Sequence, residues 1–219
     1  MSNEPNNSVS FEKVGVRGFL HRPPGEAARG LVLTHGAGGN CNAPLLVSLA
    51  EAFASAGLCV LRCDLPFRQK RRSGPPSPAF AAGDRGGLRA AVEALREVAP
   101  GDIYLGGQSY GGRQASMLAA EQPTLVQALL LLSYPLHPPN KPTVLRTAHF
   151  PALRTPALFI HGDADPFASS EELRAAVAMI PAPTRIMTIE RVGHDLGRGR
   201  VNLAEIVAAL LQIGSLAQL

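Results

Sequence analysis

An α/β fold, with a mostly parallel central sheet and helices on both faces, is what this sequence predicts, and three observations predict it. Short, β-rich apolar runs alternate with amphipathic stretches along the chain. The runs are apolar throughout, as strands buried on both faces are. The stretches between them carry apolar residues at spacings of three and four, as in "LLVSLAEAFASA" and "LRAAVEALREVA", so they read as the crossover helices that parallel strands require.

Taken in order, residues 1–8 form a polar leader, expected to be flexible. "VSFEKVGVRGFLHRP" alternates and is broken by glycines, which predicts an N-terminal hairpin. Strands follow at 30–36, 58–64, 102–108, 128–135, 156–163 and 184–190, and helices at 43–56, 84–98, 111–121, 169–179 and 201–212. Two segments do not read as helices: the Pro-rich, basic 65–83 and the stretch 135–155 with its "PLHPPNKP". Each follows a strand C-terminus, the edge at which open α/β sheets bind ligands. The second is too short for a multi-helix cap, so the expected molecule is one domain over 1–219 without a large lid.

The bulk numbers bound the function. Of the 219 residues 46% are hydrophobic and 17% charged, which suits a globular chain rather than a disordered one. The net charge of +4 owes much to "RQKRR" at 68–72, where no aromatic residue is interleaved. Nucleic acid is therefore not an expected partner. Three cysteines, Cys41, Cys59 and Cys63, lack metal-site spacing and are odd in number, which points to a reducing compartment. Cys41 and Cys63 read as small buried apolar residues. Neither a signal peptide nor a membrane span is expected, and the chain reads as a soluble cytoplasmic protein.

The chemistry gathers around "LGGQSYGGRQAS". Gly107-Gln108-Ser109-Tyr110-Gly111 places a lone serine between a predicted buried strand and a predicted helix, the pattern of a nucleophile elbow. Flanking glycines suit a strained turn where strand and helix approach closely. A serine hydroxyl needs a base, and the base an orienting carboxylate. Downstream, "PALFIHGD" runs into "GDADPFASSEEL" and "RIMTIE" into "RVGHDLG", so an acid and a histidine fall at two successive strand ends. His194 is the expected base. Asp165, before Pro166, is preferred as the acid over Asp163, which is expected to cap the turn. Asp195 lies too close to His194 in sequence to orient its ring. In "LTHGAGGN" the glycines expose backbone N–H groups, and the expected oxyanion donors are the amides of Ala37 and Tyr110. His35 is expected to brace that loop.

The motifs together, "THGAGG", the elbow "GGQSYGGRQAS", "GDADP" and the late "GH", resemble an α/β-hydrolase over nearly the whole chain. The likeness is to the small dienelactone-hydrolase-like members. More narrowly, with "CDLPFRQKRR", it is to bacterial relatives of the testis-expressed and NSL-complex hydrolase-like proteins. The resemblance implies a Ser-His-Asp core on Ser109, His194 and Asp165 and a small-molecule acyl substrate. The sequence departs from the dienelactone hydrolases, whose nucleophile is cysteine, so their lactone substrate is not carried over. Some eukaryotic members of the narrower group act as complex subunits, which makes a non-catalytic scaffold with a protein partner the rival expectation.

Other readings fall away. "HGAGGNC" puts Cys41 where a dinucleotide loop needs its third glycine, Asp64 reads as a turn residue, and no P-loop is present. "DADPFASSEE" lacks the central glycine of a calcium loop. No metal and no cofactor are expected. Gly36, Gly38, Phe67, Arg68, Arg71 and Arg113 are the expected substrate-contacting residues. The basic run Arg68, Lys70, Arg71, Arg72 and the helix residue Arg113 are the candidates for attracting an anionic substrate.

Overall fold

The computed structural model describes residues 8–13, 15–138, 141–199 and 201–216. Eight strands form one sheet in the order β1-β2-β4-β3-β5-β6-β7-β8. β1 (Ser8–Lys13) and β2 (Val16–His21) make the expected hairpin, and β2 pairs antiparallel with β4 (Leu58–Cys63). The remaining ladder is parallel through β3 (Arg29–Thr34), β5 (Ile103–Gln108), β6 (Leu129–Leu132), β7 (Ala157–Gly162) and β8 (Thr184–Ile189). The expected leader at 1–8 lies outside the described residues, except that Ser8 already belongs to β1.

The all-apolar strands feed two cores, because alternate side chains point to opposite faces. In β6, Leu129 and Leu131 join one core and Leu130 and Leu132 the other; in β7, Phe159 and Ile160 divide in the same way. Helices α1 (Pro44–Ser55) and α6 (Leu203–Ser215) cover one face. α3 (Ala81–Arg96), α4 (Tyr110–Glu121) and α5 (Ser170–Val177) cover the other. α5 starts on a capping box in which Ser169 and Glu172 satisfy each other's backbone N–H groups. All three cysteines are free and buried, and burial pushes the Cys41 thiol up to about 12.

Segment 65–83 corrects the sequence reading. It contains a short helix, α2 (Pro66–Lys70), then a 3-10 turn, Pro78–Phe80, and α3 begins at Ala81 rather than 84. Both short pieces start on a proline. Its fixed φ suits a first helical position, and its missing N–H would be unpaired there anyway. The prolines that argued against a long helix thus begin two short ones. Strand β6 is shorter than expected, since Ser133 turns to φ 48° and Pro135 follows. The crossover from β6 to β7 contains a single 3-10 turn, Phe150–Ala152, among its described residues, so no lid covers the strand ends there. No helix among the described residues is long and apolar enough to cross a membrane.

Candidate active site

Ser109 stands at the end of β5 and caps α4 with φ 51° and ψ −114°. For a non-glycine residue this backbone costs about 1–3 kcal/mol, so the surroundings must impose it. The two flanking glycines explain how. A Cβ on Gly107 would sit 2.6 Å from the Gly111 carbonyl carbon, and one on Gly111 would sit 2.5 Å from the His35 carbonyl oxygen. No side chain fits at either position, and the close approach of strand, helix and the loop after β3 holds the turn.

The serine hydroxyl opens a hydrogen-bonded chain. His194 Nε2 lies 2.8 Å from Ser109 Oγ, and His194 Nδ1 lies 2.7 Å from Asp165 Oδ2. The Asp165 side chain is fully buried, while that of His194 is one-quarter exposed. With Nδ1 donating to the carboxylate, Nε2 is the acceptor that faces the hydroxyl. The second carboxylate oxygen, Oδ1, accepts the backbone N–H of Phe167 at 2.9 Å. Asp165 therefore makes the turn itself, a task the sequence reading gave to Asp163, which is exposed. The Phe167 ring packs on the His194 imidazole, centroids 4.4 Å apart, and shields one ring face from water.

Ala37, after β3, and Tyr110, the first residue of α4, line the same cavity as Ser109. Among the described residues neither backbone N–H has an acceptor. Gly36 packs directly against Ser109, its Cβ position 3.4 Å from the serine Cβ. His35 braces this loop as expected: fully buried, it contacts the Gly36 carbonyl through Nδ1 at 2.8 Å and accepts the Leu65 N–H at Nε2 at 3.1 Å. Burial lowers its pKa, which keeps it neutral for that acceptor role.

Four expected substrate contacts are placed elsewhere. Phe67 is fully buried and packs edge-on to Tyr110 and His35, behind the elbow. Gly38 is exposed at the outer corner of a turn closed by the Gly39 N–H on the Gly36 carbonyl. Arg71 is exposed, reaches the Pro75 carbonyl, and does not line the cavity. Arg68 is corrected most sharply. Only 5% exposed, it donates to the carbonyls of Ala37, Gly39, Arg71 and Gly74 at 2.8–3.1 Å. It thus ties the oxyanion loop to the 68–74 segment. A basic tetrad in a Pro-rich stretch reads as solvated, and nothing local in the sequence marks the first arginine as the one whose charge is used internally.

Asp84, also unforeseen, is buried at the start of α3. It accepts the Tyr110 hydroxyl at 2.7 Å and the Phe67 N–H at 3.0 Å. Its pKa is raised, chiefly by burial. The remaining cavity wall comes from Pro75, Pro76, Pro78, Met117, Pro135 and Phe167, with Arg113 and Arg146. The cavity holds about 620 Å³. Most of this wall comes from the two segments that follow β4 and β6. Their position at strand ends is readable in the sequence, but which side chains face inward is not. No cluster of three or more His, Cys, Asp or Glu residues suited to a metal occurs among the described residues.

A sheet with this strand order, an elbow after β5 and an acid and histidine after β7 and β8 define an α/β-hydrolase. The sequence model of the alpha/beta hydrolase domain family matches residues 27–209, and the chain belongs to that family. Its fold is similar to several solved structures. A lidless α/β serine hydrolase from Xanthomonas campestris superposes with a TM-score of 0.72 at 20% identity, covering 99% of this chain and 97% of that one. A serine hydrolase homologue from Coxiella burnetii gives 0.71 at 22%, covering 97% of each chain. Dienelactone hydrolase from Anabaena variabilis gives 0.66 at 22%, covering 96% of this chain and 95% of that one.

Proposed function

We propose that this protein is a serine hydrolase that cleaves small or medium acyl esters or thioesters through an acyl-enzyme. The observation that carries the reading is the unbroken chain Ser109 Oγ–His194 Nε2 and His194 Nδ1–Asp165 Oδ2, at 2.8 and 2.7 Å. His194 takes the hydroxyl proton as Ser109 attacks the carbonyl, and Asp165 stabilises the imidazolium and fixes its tautomer. The Ala37 and Tyr110 amides receive the oxyanion. Each such donor is worth roughly 3 kcal/mol in the transition state. His194 then protonates the leaving alcohol or thiol, and water, activated by the same imidazole, releases the acid.

The cavity, about 620 Å³ with mostly apolar walls, is of a size that admits a drug-sized ligand. The narrower resemblance, to the testis-expressed and NSL-complex hydrolase-like proteins, belongs to this proposal, as do a single-domain organisation and a cytoplasmic location. The rival scaffold reading calls for a broken triad or a blocked elbow, and neither is present among the described residues. Hydrolysis of 4-nitrophenyl acetate and butyrate, and of an acyl thioester, tests the function. Wild type turns over at least one of them, and Asp165→Asn lowers kcat by about 10⁴-fold through the wrong tautomer. Equal activity in that variant contradicts the reading.

A further inference from the structure

Arg113 and Arg146 both line the cavity that holds Ser109. Arg113 lies four residues after the serine, in the first turn of α4, its N–H bonded to the Ser109 carbonyl at 2.9 Å. Arg146 comes from the β6–β7 crossover, where Tyr134 Oη donates to its carbonyl at 3.0 Å and its own N–H bonds the Leu136 carbonyl. The backbone that presents the second arginine is thus tied into the core.

Among the described residues no acid answers the two guanidiniums. Neither makes an ion pair among the described residues, and Arg113 Nε is buried without a hydrogen-bond partner. Two carboxylates in the surroundings are already engaged: Asp84 with Tyr110 and Phe67, and Glu121 with Arg85 at 3.0 Å. The neighbouring His149, which meets Ser116 Oγ through Nε2 at 2.8 Å, carries no negative charge to offer. Its pKa is pushed down to about 4 by burial and by the Arg113 and Arg85 charges. Burial and the Arg113 charge also hold Arg146 below its ordinary pKa. Holding two half-buried like charges close together, with one buried donor unpaired, is unfavourable unless an anion arrives to satisfy them. A guanidinium presents a planar fork of donors that matches a carboxylate or phosphate.

We infer that Arg113 and Arg146 form an anion-binding subsite of this cavity, taking a carboxylate or phosphate carried by the substrate, an inference that rests on the ester-hydrolase reading of Ser109. The substrate is then an ester or thioester with an anionic group a few bonds from its scissile carbonyl, such as a monoester of a dicarboxylic acid. The apolar proline wall covers the carbon chain between them. This relocates the anion attraction expected of the basic 68–72 run, because Arg68 is consumed internally and Arg71 lies outside the cavity.

The test compares kcat/KM for 4-nitrophenyl hydrogen glutarate, 4-nitrophenyl 4-phosphonobutanoate and neutral 4-nitrophenyl methyl glutarate. Wild type should favour at least one of the two anionic esters over the neutral one by tenfold or more, and which it favours separates carboxylate from phosphate-type recognition. Arg113→Met and Arg146→Met should each lower that ratio about tenfold, Arg113→Lys should restore part of it, and Arg71→Met should keep the wild-type ratio. A wild-type ratio near one, or variants that lose both ester classes in proportion, overturns the subsite. If wild type turns over none of the esters, the hydrolase reading has failed, and calorimetry with glutarate and 4-phosphonobutanoate judges the subsite alone. Binding to wild type that is lost in both methionine variants upholds it; no binding, or binding the variants retain, overturns it.

Discussion

Two arginines that look alike in the sequence, Arg68 and Arg113, serve the same site in different ways. Arg68 is buried and gives its donors to four backbone carbonyls of the oxyanion loop and the segment beside it. Arg113 lines the cavity with its Nε buried and unpartnered. The first wall is a finished hydrogen-bond structure, completed by Asp84, Tyr110 and His35. The second wall has no such partners among the described residues. A buried cation whose donors meet backbone carbonyls has a structural task, and a half-buried one with a buried donor unmatched in a cavity points to a ligand.

Substitution of the two residues should separate these tasks. Arg68→Met leaves four carbonyls short of a donor and releases the loop that carries Ala37. We expect a loss of about 2–4 kcal/mol in unfolding free energy by urea titration and a fall of about 100-fold in kcat for every ester, neutral or anionic, through the misplaced oxyanion donor. A selective loss on anionic esters would erase the contrast between the walls.

A second buried arginine sharpens the comparison. Arg62, in β4, donates through Nε to His21 Nε2 at 2.8 Å and also bonds the Cys41 carbonyl and Asn42 Oδ1. Its histidine partner must stay neutral to accept, and burial followed by the Arg62 charge pushes the His21 pKa down to about 4. The unfolded chain, titrating near 6.5, binds more protons than the folded one between those values, so stability rises with pH across that window. The contribution is complete above about pH 6.5 and is lost as the pH falls toward 4, up to about 3 kcal/mol. Urea midpoints at pH 7 and 4.5 should show the drop, and His21→Gln, which keeps an acceptor but does not titrate, should make it smaller, leaving the share owed to His149 and the other histidines that burial holds neutral. Parallel pH profiles for the two proteins would remove His21 from the explanation.

The smallest effect is expected on the open wall. Arg113→Met removes a charge that no described residue answers, so unfolding free energy should change by no more than about 0.5 kcal/mol. A loss of several kcal/mol would mean that Arg113 is structural after all.

What the sequence made legible follows the same division. The sheet, the crossover helices, the elbow and the histidine at the last strand end are encoded locally, in periodicity, glycine spacing and chain order. The structure places His194 within hydrogen-bonding distance of both Ser109 and Asp165. The supporting shell is not local. Arg68 meets Ala37 across 31 residues and Asp84 meets Tyr110 across 26, and no spacing rule connects such pairs. The same applies to Arg146, which an irregular crossover carries to the cavity. The prolines of 65–83 misled for another reason: each breaks a helix at its interior yet starts one at its first turn, and only the packing selects between the two.

The measurement that tests the central claim most directly is intact-mass labelling of the folded protein with a fluorophosphonate. The account predicts one adduct on wild type, none on Ser109→Ala and a much slower adduct on His194→Ala, because only an activated Ser109 displaces the fluoride. No adduct on folded wild type, or an adduct that persists in Ser109→Ala, would contradict it.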